Sequence, residues 1–113
     1  MHELSFAQSL VDLIEDEGRV HGFSKVKKIS VKVGALGHVE PEALRFCFDV
    51  VSRGALAEGA YLELNLIAGE GWCERCRRTV PIAASYDFCP DCGEGHLQMT
   101  AGDELRLAEL EVE

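Results

Sequence analysis

Four cysteines in this chain are spaced for metal chemistry. Cys73-Glu-Arg-Cys76 and Cys89-Pro-Asp-Cys92 are two C-x-x-C pairs separated by twelve residues. Each pair predicts a tight knuckle whose backbone amides face the sulfurs, with the intervening residues forming a short hairpin between the knuckles. Cys73, Cys76, Cys89 and Cys92 are therefore expected to form a closed, tetrahedral four-thiolate site. Such a donor set selects zinc or iron and leaves no open position for a substrate. The total of five cysteines is odd, and the Met-His-Glu-Leu-Ser start has no basic-then-apolar pattern of a secretory signal. Both features argue for metal over a disulfide framework. The fifth, Cys47, lies in Leu-Arg-Phe-Cys-Phe and reads as a small core residue.

A second set of donors stands at the start of the chain. Met1-His2-Glu3 offers a free α-amine, the amide nitrogen of His2 and its imidazole Nδ1. Together these close a five-membered and a six-membered chelate ring on one ion. Glu3 can add a fourth donor through its amide or its carboxylate. A planar, mostly nitrogen set favours Ni(II) or Cu(II) over zinc or magnesium. The amine and imidazole must both lose protons to bind, so affinity falls in acid.

Of the two metals open at the cysteines, zinc is favoured. Cys89-Pro-Asp-Cys92-Gly93 is similar to a rubredoxin knuckle, but rubredoxins separate their knuckles by a longer, aromatic-lined stretch. Here that stretch holds only Tyr86 and Phe88, with Trp72 before it. A structural zinc supplies on the order of 10–16 kcal/mol to a segment too small to fold on its own core. Residues 70–98, with few large apolar side chains beyond Trp72, Val80, Ile82, Tyr86, Phe88 and Leu97, are such a segment.

Composition narrows the function classes. Eleven basic residues against 20 acidic ones leave a formal charge of −9, which disfavours nucleic acid and anionic lipid as partners. The largest basic groups, Lys25, Lys27, Lys28 and Arg75, Arg77, Arg78, are too small to reverse that balance. No apolar run reaches the ~18 residues of a membrane span. The chain shows no Ser-His-Asp set, no G-x-x-x-x-G-K loop and no open-sided metal triad, so an enzyme is not expected.

The elements that position these residues read as α+β. Ser5-Phe-Ala-Gln8 has the pattern of a capping box, and Ala7, Leu10, Val11 and Ile14 recur at helical spacing until Gly18 or Gly22. Ile29, Val31 and Val33 alternate with Lys28, Ser30 and Lys32, a half-buried strand. Pro41 suits the first turn of a second helix with Leu44, Cys47, Phe48 and Val51 on one face. A second strand follows around Leu62, Leu64 and Leu66. The last begins at Leu105 and Leu107, and a shift of register at Leu110 and Val112 suggests a bulge. The expected fold is two helices on a three-stranded sheet, with a zinc-ribbon-like domain inserted between the second and third strands.

Several stretches occur together and in order: Met1-His-Glu-Leu-Ser, Val33-Gly-Ala-Leu-Gly-His-Val-Glu-Pro41, Leu44-Arg-Phe-Cys-Phe48, Ala57-Glu-Gly-Ala60 and the paired C-x-x-C. Across essentially the whole chain this resembles the HypA/HybF family, the nickel-insertion accessory proteins of [NiFe]-hydrogenase maturation. The resemblance implies a cytoplasmic nickel metallochaperone, not an enzyme. It would work with a HypB-type GTPase to load the hydrogenase large subunit, and in some organisms with urease maturation proteins. It implies nickel ligands at the Met1 amine, His2 and the Glu3 backbone, with Glu40 and His38 as further candidates, and zinc on the four cysteines. The domains implied are 1–69 plus 99–113 for nickel and 70–98 for zinc. Some members carry a histidine directly after the second knuckle. Gly93 stands there in this chain, and His96 comes later. The competing readings are a zinc-ribbon module of a nucleic-acid complex, which requires a basic face, and a rubredoxin-like electron carrier, which requires iron.

Overall fold

A computed structural model describes residues 2–84 and 86–113. The chain runs α1 (Glu3–His21), β1 (Val26–Gly34), α2 (Pro41–Val51), β2 (Tyr61–Ile67), β3 (Glu70–Cys73), β4 (Arg78–Pro81), β5 (Gln98–Ala101) and β6 (Leu105–Val112). It forms two compact units. One comprises residues 1–31, 39–64 and 107–113, the other 32–38 and 65–106.

The first sheet has the order β2-β1-β6. Val26 N–H donates to Leu56 O and Ala35 N–H to Ile67 O, so β1 and β2 run parallel. Glu113 N–H donates to Lys25 O and Gly34 N–H to Glu104 O, so β6 runs antiparallel to β1. The sheet is thus mixed, and α2 is the crossover of a β1–α2–β2 unit, which a parallel pair requires. The expected architecture of two helices, a three-stranded sheet and an inserted cysteine segment is present. β1, the central strand, is buried along most of its length, with Val26, Ile29, Val31 and Val33 at 1% exposure or less. Ala7, Leu10, Val11 and Ile14 of α1 and Leu44 and Phe48 of α2 supply the helical part of the buried core. Ser30, on the face expected to be polar, is buried as well, and its hydroxyl donates to Glu63 Oε1 at 2.9 Å. That bond offsets the cost of taking the hydroxyl out of water.

The helix ends differ from expectation in one place. Ser5 does not cap α1. The helix begins at Glu3 with His2 as its N-cap, and the His2 side chain makes no capping bond. Phe6 N–H already donates to His2 O at 3.0 Å, which places Ser5 inside the helix. The C-terminal stop is Gly22, in the left-handed conformation. In α2 the half-buried Cys47 is not a core residue, the inner face being carried by Leu44 and Phe48. Leu66, expected to alternate inward along β2, is 68% exposed.

The second sheet has the order β4-β3-β5 with both pairs antiparallel. β3 and β4 form a hairpin in the register Cys73↔Arg78 to Glu70↔Pro81. The hairpin therefore turns through the first knuckle itself and does not lie between the knuckles as expected. The pairing with β5 carries a bulge at Glu70/Gly71. The core of this unit is small: Cys73, Val80, Ile82 and Cys89, flanked by Leu36, Cys76, Cys92, Leu97 and Met99. Tyr86 and Phe88 are exposed and contribute little to it.

Candidate metal centres

The cysteine centre is built by two copies of one turn. In the first, Cys76 N–H faces Cys73 Sγ at 3.4 Å and Arg77 N–H donates to Cys73 O at 2.7 Å. In the second, Gly93 N–H donates to Cys89 O at 2.9 Å, and the amides of Asp91 and Cys92 bond the Cys89 sulfur. Both turns need a left-handed residue directly after their second cysteine, Arg77 at φ 55° and Gly93 at φ 79°. β3 and β4 carry the first turn, and an Arg78–Asp91 ion pair ties it to the second.

All four sulfurs lie within 4.8 Å of one another. Cys73 Sγ is 3.6 Å from Cys92 Sγ, and Cys76 Sγ is 3.9 Å from Cys89 Sγ. A tetrahedral ion with metal–sulfur arms of about 2.3 Å sets its sulfurs roughly 3.8 Å apart. The residues therefore fit a four-thiolate ion. Cys73 and Cys89 are buried, while Cys76 and Cys92 are half-buried. The surroundings of the thiols favour ionisation unequally. The hydrogen bond with Cys92, then burial, pushes the Cys76 thiol up to about 12. Burial also opposes ionisation of Cys89, but the Asp91 and Cys92 amides outweigh it and bring that thiol down to about 7. A bound cation removes the imbalance by stabilising all four thiolates together.

The N-terminal candidates are placed by α1 and α2. Met1 lies outside the described residues. His2 is exposed at the N-cap of α1, where the first amides of a helix have no partners within it. Glu3 opens the helix, and its carboxylate Oε2 accepts the Glu40 N–H at 2.9 Å. That bond, chiefly, holds the Glu3 carboxyl down to about 2. Glu40 is itself the N-cap of α2, and its side chain accepts from Glu42 N–H at 3.3 Å. Structure thus brings Glu3 and Glu40 together although 37 residues separate them. His38 is exposed in the turn after β1, at φ 59°. His96 is exposed as well. Leu36 and Met99, which close the cysteine core, were not singled out by sequence. Both lie beyond the 70–98 segment, and no local periodicity marks them.

No helix among the described residues is long and apolar enough to cross a membrane. The family model described as "Hydrogenase/urease nickel incorporation, metallochaperone, hypA" matches residues 1–112. The hydrogenase maturation factor HypA of Methylocella silvestris is 58% identical over the full length of both chains. That of Rhodopseudomonas palustris strain TIE-1 is 50% identical over the same span. Among solved structures, the solution structure of the Ni metallochaperone HypA from Helicobacter pylori is similar, with TM-score 0.72 and 24% identity, covering 99% of this chain and 97% of that one. A second solution structure of a HypA protein gives TM-score 0.76 at 25% identity, covering 99% and 96%. With its four-cysteine centre and mixed sheet, the chain belongs to the HypA family of nickel-incorporation metallochaperones, non-catalytic factors of hydrogenase maturation.

Proposed function

We propose that the chain carries Ni(II) on residues 1–3, through the Met1 amine, the backbone nitrogens of His2 and Glu3, and the His2 imidazole. Glu40 and His38 are kept as further donors. Nickel is passed, in the cytoplasm and with a HypB-type GTPase, to the [NiFe]-hydrogenase large subunit, with urease maturation proteins as a second destination. Zinc occupies Cys73, Cys76, Cys89 and Cys92 and holds domain 70–98, inserted into a nickel-carrying domain of 1–69 plus 99–113.

The observation that supports the nickel reading is the exposed His2 at the head of α1, whose side chain makes no capping bond. Its imidazole is not engaged in closing the helix. A chelate made largely of backbone nitrogens at a chain terminus suits delivery. Protonating the amine or drawing the terminus away dismantles several donors together. Selectivity over Cu(II) comes from metal supply and the docked partner, since copper outranks nickel in intrinsic affinity. For zinc, the support is the near-tetrahedral sulfur spacing combined with the small core of the second unit.

The test is a Ni(II) titration of the zinc-loaded protein beside a copy extended by one glycine before Met1. The native chain is expected to bind one nickel with the visible absorption of a square-planar site, and the extended chain to lose it. Equal binding by both would place the site elsewhere. Metal analysis of the purified protein tests the other centre: a red, iron-containing product overturns zinc.

A further inference from the structure

The start of α2 lacks half of its cap. Glu40, the N-cap, bonds Glu42 N–H with its own side chain. In a capping box the third residue of the helix returns the bond to the N-cap amide, and that needs Glu or Gln. Here the third residue is Ala43, which has no acceptor. The Glu40 amide is instead bonded by Glu3, reaching across from the first turn of α1 at 2.9 Å. A carboxylate in the proposed nickel-binding tripeptide therefore completes the cap of another helix.

From this we infer that the Glu3 carboxylate is a positioning group for nickel, not a ligand. It fastens the first turn of α1 to the head of α2 and so fixes where the His2 and Glu3 nitrogens stand. The inference rests on the reading of residues 1–3 as the nickel site and assigns the side chain of Glu3 a role distinct from that of its backbone. Groups that orient metal ligands without touching the ion commonly change affinity by about 10- to 100-fold when removed. They do so without changing the donor set, which separates the two roles.

Three substitutions in the full, zinc-loaded chain test it. Glu3→Ala removes the acceptor. Glu3→Gln keeps an acceptor oxygen. Ala43→Glu leaves Glu3 intact but supplies the missing half of the box within α2, competing for the Glu40 amide. In nickel-free protein, the Glu40 amide resonance is expected to shift in Glu3→Ala and to stay near its native position in Glu3→Gln. On nickel titration, Glu3→Ala and Ala43→Glu are expected to weaken binding by about 10-fold or more with the visible band unmoved. Glu3→Gln is expected to bind within a few-fold of native protein. An unshifted Glu40 amide in Glu3→Ala overturns the inference. So does a displaced visible band in both Glu3 variants with Ala43→Glu binding normally, which would make the carboxylate a ligand. Failure of the underlying reading looks different: the glycine-extended chain would bind nickel as the native one does, while the nickel-free amide shift would persist.

Discussion

The sulfurs of Cys73 and Cys92, nineteen residues apart in the chain, stand 3.6 Å from each other. Cys76 and Cys89 make the complementary approach at 3.9 Å. The first cysteine of one knuckle meets the second of the other, and so the sulfurs of the two turns interleave. Neither knuckle is then a site alone. The surrounding core has few apolar side chains besides the cysteines, so on the zinc reading the bound ion would be the main support of this unit, on the order of 10–16 kcal/mol.

Cys92→Ala is accordingly expected to release the metal and unfold the second unit, and a strong chelator to do the same to native protein. A colorimetric zinc assay follows the release. Loss of amide dispersion for Val80 and Ile82, with helical circular dichroism from α1 and α2 retained, reports where the unfolding lies.

Two glycines are expected to resist alanine for opposite reasons. Gly93 sits at φ 79° with open space where a Cβ would go, so Gly93→Ala costs about 1–2 kcal/mol from the backbone alone. At Gly34 a Cβ would overlap the backbone of Gly102 and Asp103, and neither can retreat as a flexible side chain could. Gly34→Ala is expected to cost at least about 1–3 kcal/mol by overpacking. Urea unfolding of both variants measures the losses. Arg77, left-handed at the position equivalent to Gly93, tolerates glycine better than Gly93 tolerates alanine.

In the first unit, Ile14 and Leu44 are fully buried. Truncating either to alanine leaves a cavity and is expected to cost about 2–5 kcal/mol. Thermal denaturation of zinc-loaded protein checks this, with metal stoichiometry unchanged because neither residue belongs to the cysteine core.

Acid acts on the turn before β6. The amides of Glu104 itself and of Gly102 hold the Glu104 carboxyl below its ordinary range, the latter through a 2.8 Å bond to Oε1. The folded value lies below the unfolded one, near about 4.3. The stabilisation is therefore complete above the unfolded value and lost as pH falls through the folded one. Glu104→Gln is expected to be less stable than native protein at pH 6, with the gap closing in acid. Denaturant midpoints across that range provide the measurement.

Periodicity and spacing along the chain determined a good deal. The 3.6-residue recurrence of Leu10 and Ile14, the alternation at Ile29–Val33 and the two C-x-x-C pairs each depend on neighbours within a few positions. Those interactions are written locally, and the helices, the central strand and the thiolate set follow from them. Tertiary structure alone decided the parallel pairing of β1 with β2, the interleaving of the sulfurs, the burial of Ser30 against Glu63 and the exposure of Leu66. It also decided that His2, not Ser5, heads α1. The pairings among these join residues more than a dozen positions apart, and a hydrogen bond or a sulfur contact at that separation leaves no period to read. The cap of α2 shows the difference. Pro41 announced the helix, but the acceptor missing at Ala43 is supplied by a residue that only the fold brings near.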